Sequence, residues 1–588
     1  MTMPQDVKDK VAPADGRRGL PWHVKLFLRQ SRKGLPAPSY AITLERGLRI
    51  PMPDGTHQVA DVYRPVAGEP CPTLLVRTPY GRGFPYDFMY GALFAEQGFH
   101  VVLQSSRGTG GSSGTYEPFV DEAADAQATV TWLREQSWFN GALGTIGASY
   151  LGFTQWALAA DPPPELRAMV VQVSADDFSK FLYPGGAFAL EATLTGMAAM
   201  LSQHKGFLAF VGAVLRLMRT SKKVMRMVPL VPDYQTGFGQ RVSWFEEWLR
   251  HPAADDPYWE PRRARPDIAS APPVSLLGGW SDIVIDQTID SYQRLRAAGR
   301  PARLVVGPWS HTSGFNKDMP IVAGEALAWL RAYLCGAAEA SAEVAGAPVR
   351  VHVGEIGSPG HWRDLADWPP PDAVTQSWHL HAGGTLAVAG GPSSPAEGEA
   401  AAEGESAAEG DVKVEAGFSF RYDPTDPTPA VGGPRMDGNA FGPRPNNKLE
   451  ARDDVLVFTA EPRREALDVI GPVSIRLRVR GSGPYFDIFA RLCDVDARGT
   501  SWNVCDGLLR IDNGRVRGEG GWIDIEVPMS STAHRFRPGH RLRVQVSGGA
   551  HPRFARNTGT AEQIATATSL VPAEIEIVSG PVLSLPVV

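Results

Sequence analysis

Residues 142–160 read ALGTIGASYLGFTQWALAA. A short strand-like run, ALGTI, gives way to the helix-forming FTQWALAA, and the change falls on Gly147-Ala148-Ser149-Tyr150-Leu151-Gly152. A serine at a tight strand-to-helix turn is the nucleophile-elbow arrangement. The turn is crowded, so its neighbours must be small. It lifts the serine Oγ above the sheet edge, and the helix N-terminus behind it favours developing negative charge. The common pattern is G-x-S-x-G. Here Leu151 takes the place of the second glycine, and Gly152 follows Ser149 by three positions. The plain alternative is a serine that caps the following helix.

On both sides of this turn, apolar runs alternate with helical patterns. Upstream, SYAITLERGLRIPM and HQVADVYRP flank Asp54-Gly55, a hairpin signal. PTLLVRTP and HVVLQSS read as buried strands with the helix FMYGALFAEQG between them. DEAADAQATVTWLREQ reads as a helix with Ala124, Ala128 and Trp132 or Leu133 at helical spacing. Downstream, AMVVQVS is a strand, after which the alternation stops near Ser174. It resumes with PPVSLLGGW, IDQTIDSYQRLRAAG and ARLVVGPW. The pattern predicts an α/β fold, a parallel sheet covered by helices over residues 39–173 and 266–345, with a helical, aromatic cap inserted at 174–265. From about residue 346 short alternating runs dominate, including VRVHVGE, SWHLHAG, VSIRLRVRG and RLRVQVSGG. They predict an all-β sandwich or jelly roll to residue 588. Residues 1–38 read as a polar, basic extension, and 389–411 as a low-complexity, disordered loop.

The chain of 588 residues is 43% hydrophobic and 21% charged, which supplies large cores and excludes fibrous or wholly disordered classes. Against 64 acidic residues stand 58 Lys and Arg, a net charge of −6, so charge gives no argument for nucleic acid or an anionic membrane surface. The longest apolar stretch, residues 206–218, is broken by Arg216 and falls short of the ~20 residues a spanning helix needs. No secretory h-region is visible near the N-terminus. The four cysteines, Cys71, Cys335, Cys493 and Cys505, form no metal or disulfide pattern. The expectation is a soluble cytoplasmic protein with reduced thiols, a small-molecule substrate, and no nucleic-acid or membrane partner; self-association stays open.

A nucleophilic serine needs a base, and the base an orienting acid. LLGGWSD puts Asp282 just past one strand, and VVGPWSH puts His311 just past the next. In a parallel sheet these strand ends share one edge, where sites gather. The order Ser149, Asp282, His311 is the α/β-hydrolase order. Taken singly, Asp282 reads equally as a helix cap and His311 as a surface or core histidine. An oxyanion hole would draw on the Tyr150 amide and on the loop Arg77-Thr78-Pro79-Tyr80-Gly81-Arg82, where the Tyr80 hydroxyl can donate; Tyr80 could also simply pack.

RTPYGRG, SSRGTGGSSG, GTIGASYLGFTQW, GGWSD and GPWSH occur in that order, followed by GPVSIRLRV and FRPGHRLRVQVSGGAHPRFARN. Over residues 40–580 this resembles the cocaine esterase and X-prolyl dipeptidyl-peptidase superfamily of CocE/NonD serine hydrolases. The resemblance implies an α/β-hydrolase core, a helical cap and a C-terminal jelly roll. It implies Ser149 as nucleophile, Asp282 as triad acid, His311 as base, and Tyr80 with the Tyr150 amide as oxyanion hole. The implied acyl-enzyme chemistry requires no cofactor and no metal. Many members carry Asp where this chain has Ser105, a position that reads as structural. The α-amino-acid ester hydrolase branch carries carboxylates shortly after the triad acid. Here Ile283-Val284-Ile285 stand there, which favours uncharged acyl groups and an esterase over an aminopeptidase. Asp176 and Asp177 remain as amine anchors for a dipeptidyl peptidase, or as cap and salt-bridge residues.

Three further features weigh less. Arg107-Gly108-Thr109-Gly110-Gly111-Ser112 lacks the lysine and spacing of a P-loop and reads as a tight turn. His379 and His381 alternate on one strand and would need a third ligand to bind a metal. The aromatics of WFEEWLRHPAADDPYWEP read as cap packing, with an acyl-pocket role as the alternative.

Overall fold

The apolar runs around Ser149 form one mixed sheet. The computed structural model describes residues 33–231, 234–336, 344–388, 417–436, 440–578, 580 and 582–588. Strands β1 (Ile42–Pro51) and β2 (His57–Pro65) make the hairpin across Asp54-Gly55, and β2 runs antiparallel to β4 (His100–Ser105). From there the order is β4, β3 (Thr73–Thr78), β5 (Leu143–Ala148), β6 (Leu166–Gln172), β7 (Val274–Ser281), β8 (Ala302–Ser310) and β9 (Val349–Glu355), all parallel. Antiparallel β10 (His361–Leu365) closes the far edge. Every residue of β3 and β4 is buried, as continuous apolar runs in a doubly covered parallel sheet require. Because β5, β7 and β8 are parallel, the residues that follow them emerge on one edge of the sheet.

One strand lies elsewhere than its sequence pattern suggests. VRVHVGE reads with the later sandwich strands, but it is β9 and pairs with β8 from Leu304↔Val349 to Val306↔Val351. Its far end also meets the sandwich, through His534↔Gly354 and Arg535↔Glu355. The alternating pattern reflects a strand near the sheet edge and does not say which sheet it joins.

Helix α1 (Glu122–Arg134) also departs from its expected face. Its buried positions are Glu122, Asp125, Ala126, Thr129, Val130 and Leu133, while Ala124 is exposed and Ala128 half-buried. Leu133 points inward as expected. The inward stripe carries two acids because the buried Arg77 and the half-buried Arg107 meet them, and apolar spacing alone does not register such partners. Helix α2 (Tyr150–Leu158) is buried at every position, which fits its place directly behind the elbow.

The insertion after β6 is helical. It contains Phe178–Leu182, α3 (Leu190–Ser202), α4 (Phe207–Val224) and α5 (Ser243–Arg250). Trp244, Trp248 and Trp259 are buried in the same apolar cluster as Phe119, Phe153 and Phe181, so these cap aromatics pack. Helices α6 (Ile285–Ala297) and α7 (Met319–Leu330) follow β7 and β8.

The C-terminal part is all-β, a jelly-roll sandwich with its own apolar core. In one layer Val455–Thr459, Arg541–Ser547, Phe486–Val495 and Ser501–Ile511 lie side by side; the other is built on the long antiparallel pair Leu467–Gly481 and Ile523–Phe536. It grips the cap through Arg435, whose guanidinium meets the Glu191 carboxylate at 2.8 and 2.9 Å. Residues 389–411 and most of the basic N-terminal extension lie outside the described residues.

Candidate active site

Ser149 sits where β5 turns into α2, with φ 58° and ψ −123°. A positive φ strains a residue that carries a Cβ, and such outliers gather at functional turns. The surroundings hold it there. The Ser149 amide donates to Gln172 O at 2.9 Å, and the Ser174 hydroxyl donates to Ser149 O at 2.7 Å. The altered elbow pattern also has a steric account. A Cβ on Gly147 would come within 2.4 Å of Leu151 Cβ, and one on Gly152 within 2.4 Å of Ser174 Cβ. Leu151 fills the space a second glycine would leave open, so Gly147 must be bare; Gly152 lets the helix approach the strand end after β6.

The two later strand ends converge on this serine. His311 Nε2 lies 2.9 Å from Ser149 Oγ, and His311 Nδ1 lies 2.7 Å from Asp282 Oδ1. Asp282 has no exposed surface and His311 is 9% exposed. A carboxylate so buried beside imidazole Nδ1 fixes the tautomer that leaves Nε2 free to accept a proton. The turns carrying the two residues are themselves tied down. Asp282 N donates to Gly279 O at 2.9 Å, and Ser310 N donates to Ser313 Oγ at 2.8 Å.

Tyr80 stands in the loop after β3. Its hydroxyl is within hydrogen-bond reach of Ser149, and burial pushes its pKa up to about 12, so it remains a proton donor at neutral pH. Its ring stacks on Tyr86 at 5.7 Å and meets Tyr150 edge-on at 6.4 Å. The Tyr80 amide donates to Thr78 Oγ1 at 3.0 Å, which stiffens the loop after β3. The Tyr150 amide heads α2, next to Ser149. His204 of the cap covers the adjacent Gly81, where an added Cβ would lie 3.2 Å from His204 Cα. On the sandwich side, Gly442 faces Ser281, an added Cβ being 3.6 Å from the Ser281 hydroxyl.

Other expected positions are occupied differently. Asp176 meets Arg294 at 2.8 Å; Asp177 accepts from Ser179 N at 3.0 Å and meets Arg263 at 3.2 Å. Both carboxylates are already engaged. Val284 and Ile285 are buried apolar residues, as the sequence after Asp282 implies. Ser105 accepts from Arg82 at 2.7 Å and is fully buried, a structural contact. Arg107 ties the glycine-rich turn to Asp125 and Asp54. His379 and His381 stand 6.3 Å apart, ring to ring, and among the described residues no group of three or more His, Cys, Asp or Glu is placed to hold a metal ion. Cys71, Cys335, Cys493 and Cys505 are free. Among the described residues no helix is long and apolar enough to cross a membrane.

Sequence reading misses the residues beneath the elbow. Glu122 and Arg77 are 4% and 2% exposed and lie 2.9 Å apart, and the Tyr150 hydroxyl donates to Glu122 Oε1 at 2.9 Å. An acid in a helix's first turn ordinarily answers to the helix dipole, so nothing marked Glu122 as a buried contact.

The family model for X-Pro dipeptidyl-peptidase (S15 family) matches residues 54–313, and that for the X-Pro dipeptidyl-peptidase C-terminal non-catalytic domain matches 343–578. Cocaine esterase from Rhodococcus sp. (strain MB1 Bresler) is 30% identical over 549 residues, covering 88% of this chain and 92% of that protein. A solved α-amino acid ester hydrolase superposes with a TM-score of 0.74 at 21% identity, covering 98% of this chain and 100% of the other. A CocE/NonD family hydrolase from Staphylococcus aureus superposes at 0.66 and 16%, covering 93% and 94%. The fold and these matches define a serine hydrolase that acts on esters or peptides. The chain belongs to the family of cocaine esterase and the X-Pro dipeptidyl-peptidases.

Proposed function

We propose that Ser149, His311 and Asp282 form the catalytic triad of an enzyme that cleaves carboxylic esters through an acyl-enzyme. The observation that carries this reading is the unbroken chain from Ser149 Oγ to His311 Nε2 at 2.9 Å and from His311 Nδ1 to Asp282 at 2.7 Å. His311 takes the Ser149 proton as Oγ attacks the carbonyl, and Asp282 stabilises the imidazolium that forms. The Tyr80 hydroxyl and the Tyr150 amide receive the oxyanion. His311 then protonates the leaving alcohol, and later draws a proton from the water that releases the acid. The division into a two-part core, cap and sandwich is kept in this proposal, with β9 and β10 assigned to the core.

Esters are favoured over peptides with a free amino terminus. Asp176 and Asp177 are held by Arg294 and Arg263, and apolar residues follow Asp282, so the acidic groups considered for an ammonium are not free. Cocaine esterase, the 30% identical relative, acts on an ester by its name. The four free thiols suit a reducing cytoplasm. The rival reading, an X-Pro dipeptidyl peptidase, rests on the family models.

The test is turnover of p-nitrophenyl acetate, butyrate and benzoate beside Gly-Pro-p-nitroanilide, with Ser149→Ala as control. Ester turnover that vanishes in the variant is expected. Anilide turnover alone would replace this reading with the peptidase one. A fluorophosphonate label on a residue other than Ser149 would overturn the triad.

A further inference from the structure

Beneath the elbow lies a buried ionic contact that the hydrolytic steps do not use. Arg77 is the penultimate residue of β3, three positions before Tyr80. Its NH1 donates to Glu122 O at 2.7 Å, its NH2 meets the Glu122 carboxylate at 2.9 Å, and its Nε donates to Gln104 at 3.2 Å. The other Glu122 oxygen receives the Tyr150 hydroxyl at 2.9 Å, and that hydroxyl accepts the Phe119 amide at 2.8 Å. Arg77, Glu122, Tyr150 and Phe119 are each at most 4% exposed. The Phe119 ring also stacks on Tyr150 at 4.7 Å.

One carboxylate therefore touches Tyr150 directly and, through Arg77, the strand that leads to Tyr80, the two proposed oxyanion donors. Tyr150 is reached through its own side chain. Tyr80 is reached through the end of β3, which Arg77 anchors. Resting on the reading of Ser149 and its oxyanion hole given above, we propose that Glu122 is a positioning residue. It fixes the Tyr150 amide and the Tyr80 loop relative to one another, so that both donors point at the place where the oxyanion forms.

The physical need is plain. The Ser149 backbone is strained, and a strained turn relaxes unless its surroundings fix it. Tyr150 is the first residue past that strain. A side chain pinned at its far end by one donor and one acceptor limits how far its amide can swing. Burial raises the Glu122 carboxyl above its ordinary range and Arg77 pulls it back, so the pair is costly to keep in a core and is balanced only by specific partners. A displacement of about 1 Å in a reacting geometry costs about 10²-fold in rate. Glu122 touches neither substrate nor Ser149, so its effect should appear in the chemical step and leave binding unchanged.

The experiment compares Glu122→Ala, Glu122→Gln and Tyr150→Phe with the parent and with Tyr80→Phe, in kcat and KM for a p-nitrophenyl ester and in thermal melting. Glu122→Ala should lower kcat by about 10²-fold with KM within about twofold. Glu122→Gln keeps an acceptor for the Tyr150 hydroxyl and should recover most of that loss. Tyr150→Phe removes only the hydroxyl and should lower kcat in the same sense while staying folded, with a lower melting temperature because the Phe119 amide and Glu122 Oε1 lose their shared partner. In the Tyr80→Phe background the Glu122→Ala loss should shrink, because one of the two donors it positions is already gone. The proposal is overturned if Tyr150→Phe leaves kcat unchanged, if kcat and KM move together, or if the Tyr80 and Glu122 effects simply multiply. Ser149→Ala separates the two layers of the argument. If it stays active, the site itself is misassigned; if it is dead while Tyr150→Phe is fully active, only the role of Glu122 falls.

Discussion

The two flanks of Ser149 are built on different physics. On one side His311 and Asp282 come off the ends of neighbouring parallel strands and touch in a direct chain of 2.9 and 2.7 Å. On the proposed oxyanion side stand Tyr80, in the loop after β3, and Tyr150, the first residue of α2, whose hydroxyl donates to Glu122, and the Glu122 carboxylate meets the buried Arg77 of β3. The base side needs only strand ends that share an edge. The proposed oxyanion side rests on a charge pair taken out of water, which offsets its desolvation only if the geometry is held. The first flank should thus depend on which residues are present, and the second on how well the core beneath them is packed.

Breaking the base side should cost most. Ser149→Ala or His311→Ala is expected to lower kcat by about 10⁶-fold, read by ester turnover at saturating substrate. Asp282→Asn leaves the shape but favours the wrong imidazole tautomer, and a fall of about 10⁴-fold is expected in the same assay. If Asp282→Asn keeps near-parent turnover, the acid has been misplaced and the contrast between the flanks fails.

The oxyanion side should answer more gently. Tyr80→Phe is expected to lower kcat by about 10²–10³-fold with little change in KM, which sharpens the contrast if it holds. The pH profile offers a smaller sign of the same flank. An ordinary tyrosine titrates near 10, but burial moves Tyr80 to about 12. A raised value keeps the donor protonated, so kcat should show no loss traceable to Tyr80 up to about pH 10.5, with circular dichroism confirming the fold. A fall centred near 10 that is absent in Tyr80→Phe would contradict the raised value.

The smallest effect is expected at Asp176. Its carboxylate is held by Arg294 at 2.8 Å, and Asn keeps a carbonyl acceptor for that guanidinium, so Asp176→Asn should leave ester turnover within about twofold. A large loss of Gly-Pro-p-nitroanilide turnover in this variant would reopen the amine-anchor role and shift the protein toward the peptidase reading.

That Ser149, Asp282 and His311 stand at strand ends was legible in the sequence because the signals are local. Apolar runs announce the strands, and Asp282 and His311 each stand just past one. The elbow was legible too, although Leu151 breaks the usual glycine pattern; packing against Gly147 explains the exception. The oxyanion side was only half legible. Tyr80 stood out in its loop, while Glu122 lay on a helix whose apolar spacing pointed to Ala124 and Ala128, and the buried face is the one that carries Glu122 and Asp125.

By itself, then, the sequence determined the α/β class, the helical insertion, the all-β C-terminal part and the placing of Ser149, Asp282 and His311 at strand ends, because periodicity and strand ends follow from the chain's own geometry. Tertiary structure alone decided that Val349–Glu355 joins the core sheet, that Asp176 and Asp177 are already paired, and that Arg77 meets Glu122 across 45 positions of chain. The reason is common to all three. A side chain's pattern tells how deeply it is buried, but a strand's neighbour or a charge's partner comes from distant chain, and only the folded packing brings the two together.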